Sequence, residues 1–242
     1  MALSDSKSTP SALKPWSAEH ALTGAFACAL IARQFPELSP VHAQYLGAGW
    51  DNTVFLINDT WVFRFPRREL AVELLSHEKV TLNALEDFPL DYPRPVFYGQ
   101  PDTVQGQHYP WPFMGYKKVT GRTACRAKVS PRDRAPWVEP MALALKHLHQ
   151  QPIPEGLPGD LIHRSDLSYR LPRFHTQWAE TQAAARDQQQ QLPEQAIAQL
   201  LGLLHGIADT EDKASKHANL PGYLLHGDLY IRQMLFTEQN AL

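Results

Sequence analysis

Cysteine is nearly absent: Cys28 and Cys125 are the only two in 242 residues. They have no C-x-x-C spacing and follow no secretory start, which excludes a disulfide framework and points to a reducing, cytoplasmic compartment. Neither sits in a zinc-type cluster. An excess of one charge is also missing, since 23 Lys and Arg face 25 Asp and Glu. No long-range field draws the chain to nucleic acid or to an anionic membrane, and neither is expected as a partner. No apolar run suits a bilayer: "ALTGAFACALIA" is short and interrupted by Thr23 and Gly24, so it reads as a helix in water. No long-period repeat is visible, which speaks against a solenoid.

What is present is an ordinary globular composition, 43% apolar, enough for one large domain or two small lobes. Residues 1–15 are polar, with Ser and Pro, and read as a flexible leader. The stretch "AQYLGAGWDNTVFLINDTWVFRFPR" gives β-rich runs at 53–57 and 61–65, joined by the turn signal "NDT". Residues 68–85 have helical periodicity. Three prolines break "DFPLDYPRPVFYG" before a short strand at 96–98, and "YPWPFMGYKKVTG" supplies another strand ending at Gly121. Beyond Gly121 the chain turns helical. Residues 138–149 put Met141, Leu145 and Leu148 on one face, and 174–206 read as one or two helices around Pro193.

Three constellations carry chemistry. In "LGAGWDN", Gly47 and Gly49 let the backbone turn sharply and approach a phosphate. A Gly-x-Gly between strands also serves as a plain tight turn; a lid over nucleotide phosphates is the functional reading. On the helix at 68–85, Ala71, Leu74, Leu75, Leu82 and Leu85 form an apolar stripe with Glu78 in its middle. A carboxylate aimed at a core needs a cation, and Arg64 on the preceding strand alternates against Trp61, Phe63 and Phe65. The spacing proposes an Arg64–Glu78 ion pair; the alternative leaves Glu78 reaching to solvent. In "HGDLYIRQ", Asp228 can take a proton from a hydroxyl, and Gln233 lies five residues on, where an amide can hold a metal. A bare His-x-Asp is common by chance. A second segment, "HRSDLSYR" from His163 to Arg170, also carries His, Asp and Arg, but reads as a solvated connection.

Together these segments resemble the aminoglycoside phosphotransferase family, whose members also phosphorylate macrolides and other small hydroxylated molecules and are similar in fold to protein kinases. The resemblance runs from about Tyr45 to Leu242 and rests on "LGAGWDNTVFLI", "WVFRFPRR" with "HEKVTL", and "LLHGDLYIRQML". It implies an α+β, protein-kinase-like two-lobed fold. The N-lobe would span 16–115 and bind nucleotide, the hinge 116–120, and the C-lobe 121–242. It implies Asp228 as catalytic base, Gln233 as a ligand of Mg²⁺, and ATP or GTP bound by Gly47, Gly49, Arg64 and Glu78, with the hinge backbone at Tyr116, Lys117 and Val119. Two positions depart from the family, which has Asn or His in place of Gln233 and often Lys in place of Arg64. The acceptor would be a hydroxyl of a small molecule, an aminoglycoside, macrolide or similar compound; the alternative is a non-catalytic binder of nucleotide.

The end of the chain raises a further expectation. Residues 234–236 read as a strand, 237–240 as a turn, and Ala241 and Leu242 as the start of a returning strand. In the family such a strand precedes the Asp that binds the catalytic Mg²⁺, whereas the only acid after Gln233 is Glu238. The resemblance thus implies a C-terminally truncated chain that transfers phosphate slowly or not at all.

Overall fold

The structure, a computed structural model, describes residues 17–127, 130–157, 159–215 and 222–237. The expected leader, and the turn and strand start from Glu238 onward, lie outside the described residues. The chain divides into two compact units, one of the residues through Arg122 together with those from Leu235, the other of Thr123–Met234.

The first unit opens with helix α1 (Gly24–Gln34), whose first turn is capped where Thr23 Oγ1 accepts from Phe26 N at 3.2 Å. Strands β1 (Ala43–Ala48), β2 (Asn52–Ile57) and β3 (Trp61–Pro66) follow as an antiparallel meander. Asn58 and Asp59 make the second turn because both tolerate positive φ, here 49° and 55°. Then come α2 (Glu69–Ala84), β4 (Pro95–Gly99), the small hairpin of β5 (Asp102–Val104) and β6 (Gln107–Tyr109), and β7 (Phe113–Lys117). The five-stranded sheet runs β1-β2-β3-β7-β4 and is antiparallel throughout.

The two faces of this sheet are packed differently. On one, Phe26, Ala27, Leu30 and Ile31 of α1 bury against Phe55, Ile57, Phe63, Phe65 and Phe113. Each buried Phe contributes about 1.5–3 kcal/mol relative to exposure, and the rings are ordered, Phe65 on Phe113 stacking at 4.5 Å between centroids. Gly99 and Gly115 are where rings meet backbone: an added Cβ would lie 2.1 Å from Phe113 and 2.6 Å from Phe63. The other face carries Val62 and Arg64, with Tyr116 and Met114 opposite them on β7. Helix α2 covers it, burying Ala71 and Leu75.

Two expectations need correction here. The strand foreseen to end at Gly121 stops at Lys117. Lys118 N donates instead to Thr60 O at 2.8 Å, and Gly121, at φ 133°, packs so closely on Leu235 and Phe236 that a Cβ would lie 3.0 Å from both. The β5–β6 hairpin was not foreseen; its turn has Gln105 and Gly106 at φ 53° and 77°.

The second unit is helical. From the two-residue strand β8 (Arg122–Thr123) the chain passes through α3 (Ala124–Ala127) and a 3₁₀ stretch (Pro131–Trp137) into α4 (Val138–Gln150). Helix α4 buries Ala144 and Leu148, with Met141 and Leu145 half-buried beside them. Helix α5 (Leu167–Asp187) starts seven residues before the expected 174, because Asp166 caps it by accepting from Tyr169 N at 3.1 Å. Pro193 separates α5 from α6 (Glu194–Ser215), and His175 and His205 meet between them with Nε2 atoms 3.1 Å apart. After a 3₁₀ turn (Ile231–Gln233) the chain returns to the first unit as strand β9 (Leu235–Phe236). Among the described residues no helix is long and apolar enough to cross a membrane.

Candidate active site

The β1–β2 connection is an open glycine loop. Gly47 has φ 156°, and a Cβ on either Gly47 or Gly49 would meet nothing within 4 Å, so a ligand could approach the backbone there. Its base is fixed from the far end of β3. Arg67 donates to Gly49 O from its side chain and to Asp51 O from its backbone, the latter at 2.8 Å. Arg68 Nη2 pairs with Asp51 Oδ1 at 2.6 Å. Trp50 sits at the tip, 62% exposed.

Arg64 Nη1 and Glu78 Oε1 form the strand-to-helix ion pair that the spacing proposed, with side chains 22% and 31% exposed. Burial alone would pull the Arg64 guanidinium down, but Glu78, then Tyr116 and Asp51, outweigh it and hold its pKa above the ordinary value. Burial pushes the Tyr116 phenol up, against the pull of Arg64. The pair fixes a cation on the α2 face of the sheet, its fork held by a carboxylate. Tyr116 and Lys117 are the last residues of β7, so the stretch expected as a hinge begins inside the sheet, where Tyr116 lies between Val62 of β3 and Pro95 of β4. Val119 follows, half-buried, beyond the strand.

Asp228 and Gln233 belong to the second unit. Leu224 is buried while Tyr223 and Leu225 are exposed, and the backbone before the loop is not a strand. Gly227 takes φ 72°, which favours glycine and turns the chain so that Asp228 stands half-exposed at 52%. The 3₁₀ turn, closed by Gln233 N donating to Tyr230 O at 2.8 Å, brings the Gln233 amide back toward the carboxylate. Gln233 Nε2 lies 3.5 Å from Asp228 Oδ2, a long contact.

The structure adds a residue that the sequence reading set aside. Arg164, in "HRSDLSYR", pairs through Nη1 with Asp228 Oδ1 at 2.6 Å and donates from the same nitrogen to Gly227 O at 2.6 Å. Nothing in the spacing could have found it, because the partners are more than sixty positions apart and no periodicity links them.

The family model described as "APH: Phosphotransferase enzyme family" matches residues 42–242. Among curated proteins none matches. Solved structures similar to the chain include the GDP complex of wild-type aminoglycoside 2'-phosphotransferase-IIIa, at 26% identity and TM-score 0.45, over 54% of this chain and 43% of that one. The GDP and kanamycin complex of APH(2")-IIia matches at 30% identity and TM-score 0.43, over 51% and 41%. The streptomycin-ATP-APH(2")-IIa ternary complex matches at 17% and TM-score 0.49, over 91% and 69%. The chain spans less than half the length of the first two of these relatives.

Proposed function

Because the chain belongs to the phosphotransferase enzyme family, we propose that it transfers the γ-phosphate of ATP or GTP to a hydroxyl of a small molecule, an aminoglycoside, macrolide or similar compound. The observation that carries the proposal is the loop at Asp228: a half-exposed carboxylate on a glycine turn, with an amide returned to its side by a short 3₁₀ turn. Asp228 would take the proton as the acceptor O–H bond breaks. The freed oxygen bonds to the γ-phosphorus while the bond to the bridging oxygen breaks, and a nucleoside diphosphate leaves. In the first unit the open loop at Gly47 and Gly49 suits phosphate oxygens, and Arg64 held by Glu78 supplies a fixed positive charge. The backbone at Tyr116, Lys117 and Val119 is assigned to the nucleotide base.

Mg²⁺ would be met by the amide oxygen of Gln233. Among the described residues, however, no three His, Cys, Asp or Glu side chains come together, and Mg²⁺ usually takes one or two carboxylates beside phosphate oxygens. The described residues do not make up its coordination sphere. The same observation favours the alternative, a protein that binds nucleotide without transferring phosphate.

The test is Asp228→Asn, assayed for phosphate transfer to a panel of aminoglycosides and macrolides beside a nucleotide titration. The expected outcome is a loss of turnover of about 10²–10⁴-fold with nucleotide affinity kept within a few-fold. Near-normal turnover in the variant sinks the assignment; nucleotide binding without transfer by the unsubstituted chain selects the alternative.

A further inference from the structure

Arg164 lies outside every segment that carries the family resemblance, yet it is the only side chain paired as an ion with Asp228 among the described residues. Its own position is fixed from both sides. Asp160 Oδ2 accepts from Ser165 N at 2.7 Å and from Ser165 Oγ at 2.9 Å. Asp166 caps α5, and Arg170 Nη2 donates to Ile162 O at 2.7 Å. Burial pushes the Asp160 carboxyl up, but hydrogen bonds from the backbone of Ser165, Arg164 and Ile162 and from the Ser165 hydroxyl together outweigh it and hold the group below the usual carboxylate range, so the brace stays ionised at neutral pH.

We infer that Arg164 is the positioning residue for the base: it ties Asp228 Oδ1 and the Gly227 carbonyl through one nitrogen, leaving Oδ2 as the oxygen that meets the acceptor proton. This rests on Asp228 being the base. A carboxylate on a loop rotates freely unless one oxygen is held, and a base must lie within hydrogen-bond reach of the proton it takes. Among the described residues Oδ2 has only the long 3.5 Å approach of Gln233 Nε2, so it can still accept. At 38% and 52% side-chain exposure the pair adds little to folding stability. Its effect is geometric.

The test compares Arg164→Met and Arg164→Lys with Asp228→Asn in the full 242-residue chain, by steady-state kinetics with ATP or GTP and an aminoglycoside acceptor. Arg164→Met is expected to lower kcat by about 10–100-fold with both KM values within about twofold, a loss of alignment at constant binding. Arg164→Lys is expected to recover kcat to within about threefold of the unsubstituted chain, because a single nitrogen makes both contacts. Added to Asp228→Asn, Arg164→Met should cost nothing more. Wild-type turnover in Arg164→Met beside an inactive Asp228→Asn overturns this inference alone, as does an equal loss in the Met and Lys variants, which would mark a merely structural role. Near-normal turnover in Asp228→Asn, or no transfer by the unsubstituted chain, overturns the proposed function and this inference with it.

Discussion

Arg64 and Glu78 hold each other's charge on a face that α2 covers, and neither partner is free to turn to water without giving up the contact. Removing one strands the other. Arg64→Met and Glu78→Gln should each destabilise, and the double variant should cost less than their sum by about 0.5–3 kcal/mol. Denaturant melts of the four proteins measure the coupling, and simple additivity would mean the pair does no work in the fold. The buried phenols give a second residue-scale outcome. Burial raises the pKa of Tyr109, whose hydroxyl donates to Pro66 O at 2.8 Å, and that of Tyr116. A raised folded pKa means the folded state keeps a proton that the unfolded state gives up. Stability owed to these groups is therefore complete below the ordinary tyrosine value of about 10 and falls as pH climbs above it. Melts at pH 8 and above pH 10 check the direction, and absorbance titration of Tyr109→Phe and Tyr116→Phe should show the loss of a late-ionising phenol in each.

At the scale of elements, the sheet is held by aromatic rings lying on glycine backbone. Strands β4 and β7 pair with Gly99 opposite Phe113, and the Phe113 ring occupies the space a side chain at position 99 would need. Gly99→Ala and Gly115→Ala should therefore each destabilise the first unit by about 1–3 kcal/mol, the range for overpacking a tight core. Gly49→Ala makes the control for space, since nothing lies within 4 Å of its added Cβ and its backbone is not in a glycine-favouring conformation. Thermal melts of the three variants rank them. A smaller shift at 99 and 115 than at 49 would contradict the packing. Elements of this kind were readable where one period dominated: α2 showed its stripe and β3 its alternation. The β5–β6 hairpin escaped because its strands are three residues each, too short for alternation, although Gln105-Gly106 was a turn signal. Helix α5 began early because a cap, not periodicity, set its start.

At the scale of the molecule, the split into a β-rich first half and a helical second half was legible from the switch in hydrophobic period, and the α+β class follows from it. The ion pair was legible for a related reason: a charge inside an apolar stripe names its partner on the neighbouring strand. Asp228 and Gln233 could be singled out because they are close in sequence. Arg164 could not, since its contact depends on how the chain between α4 and α5 folds back toward a loop some sixty residues later. Long-range polar contacts leave no mark on local spacing.

The glycine loop also carries a built-in signal. Trp50 stands exposed between Gly49, which Arg67 holds, and Asp51, which Arg68 holds. An indole in that place is a fluorophore mounted beside the proposed phosphate site. Compared with a Trp50→Phe variant, which retains the other five tryptophans, its emission gives an unlabelled optical readout of whatever settles over the loop, so ligand screening on this protein requires neither an attached dye nor a coupled assay.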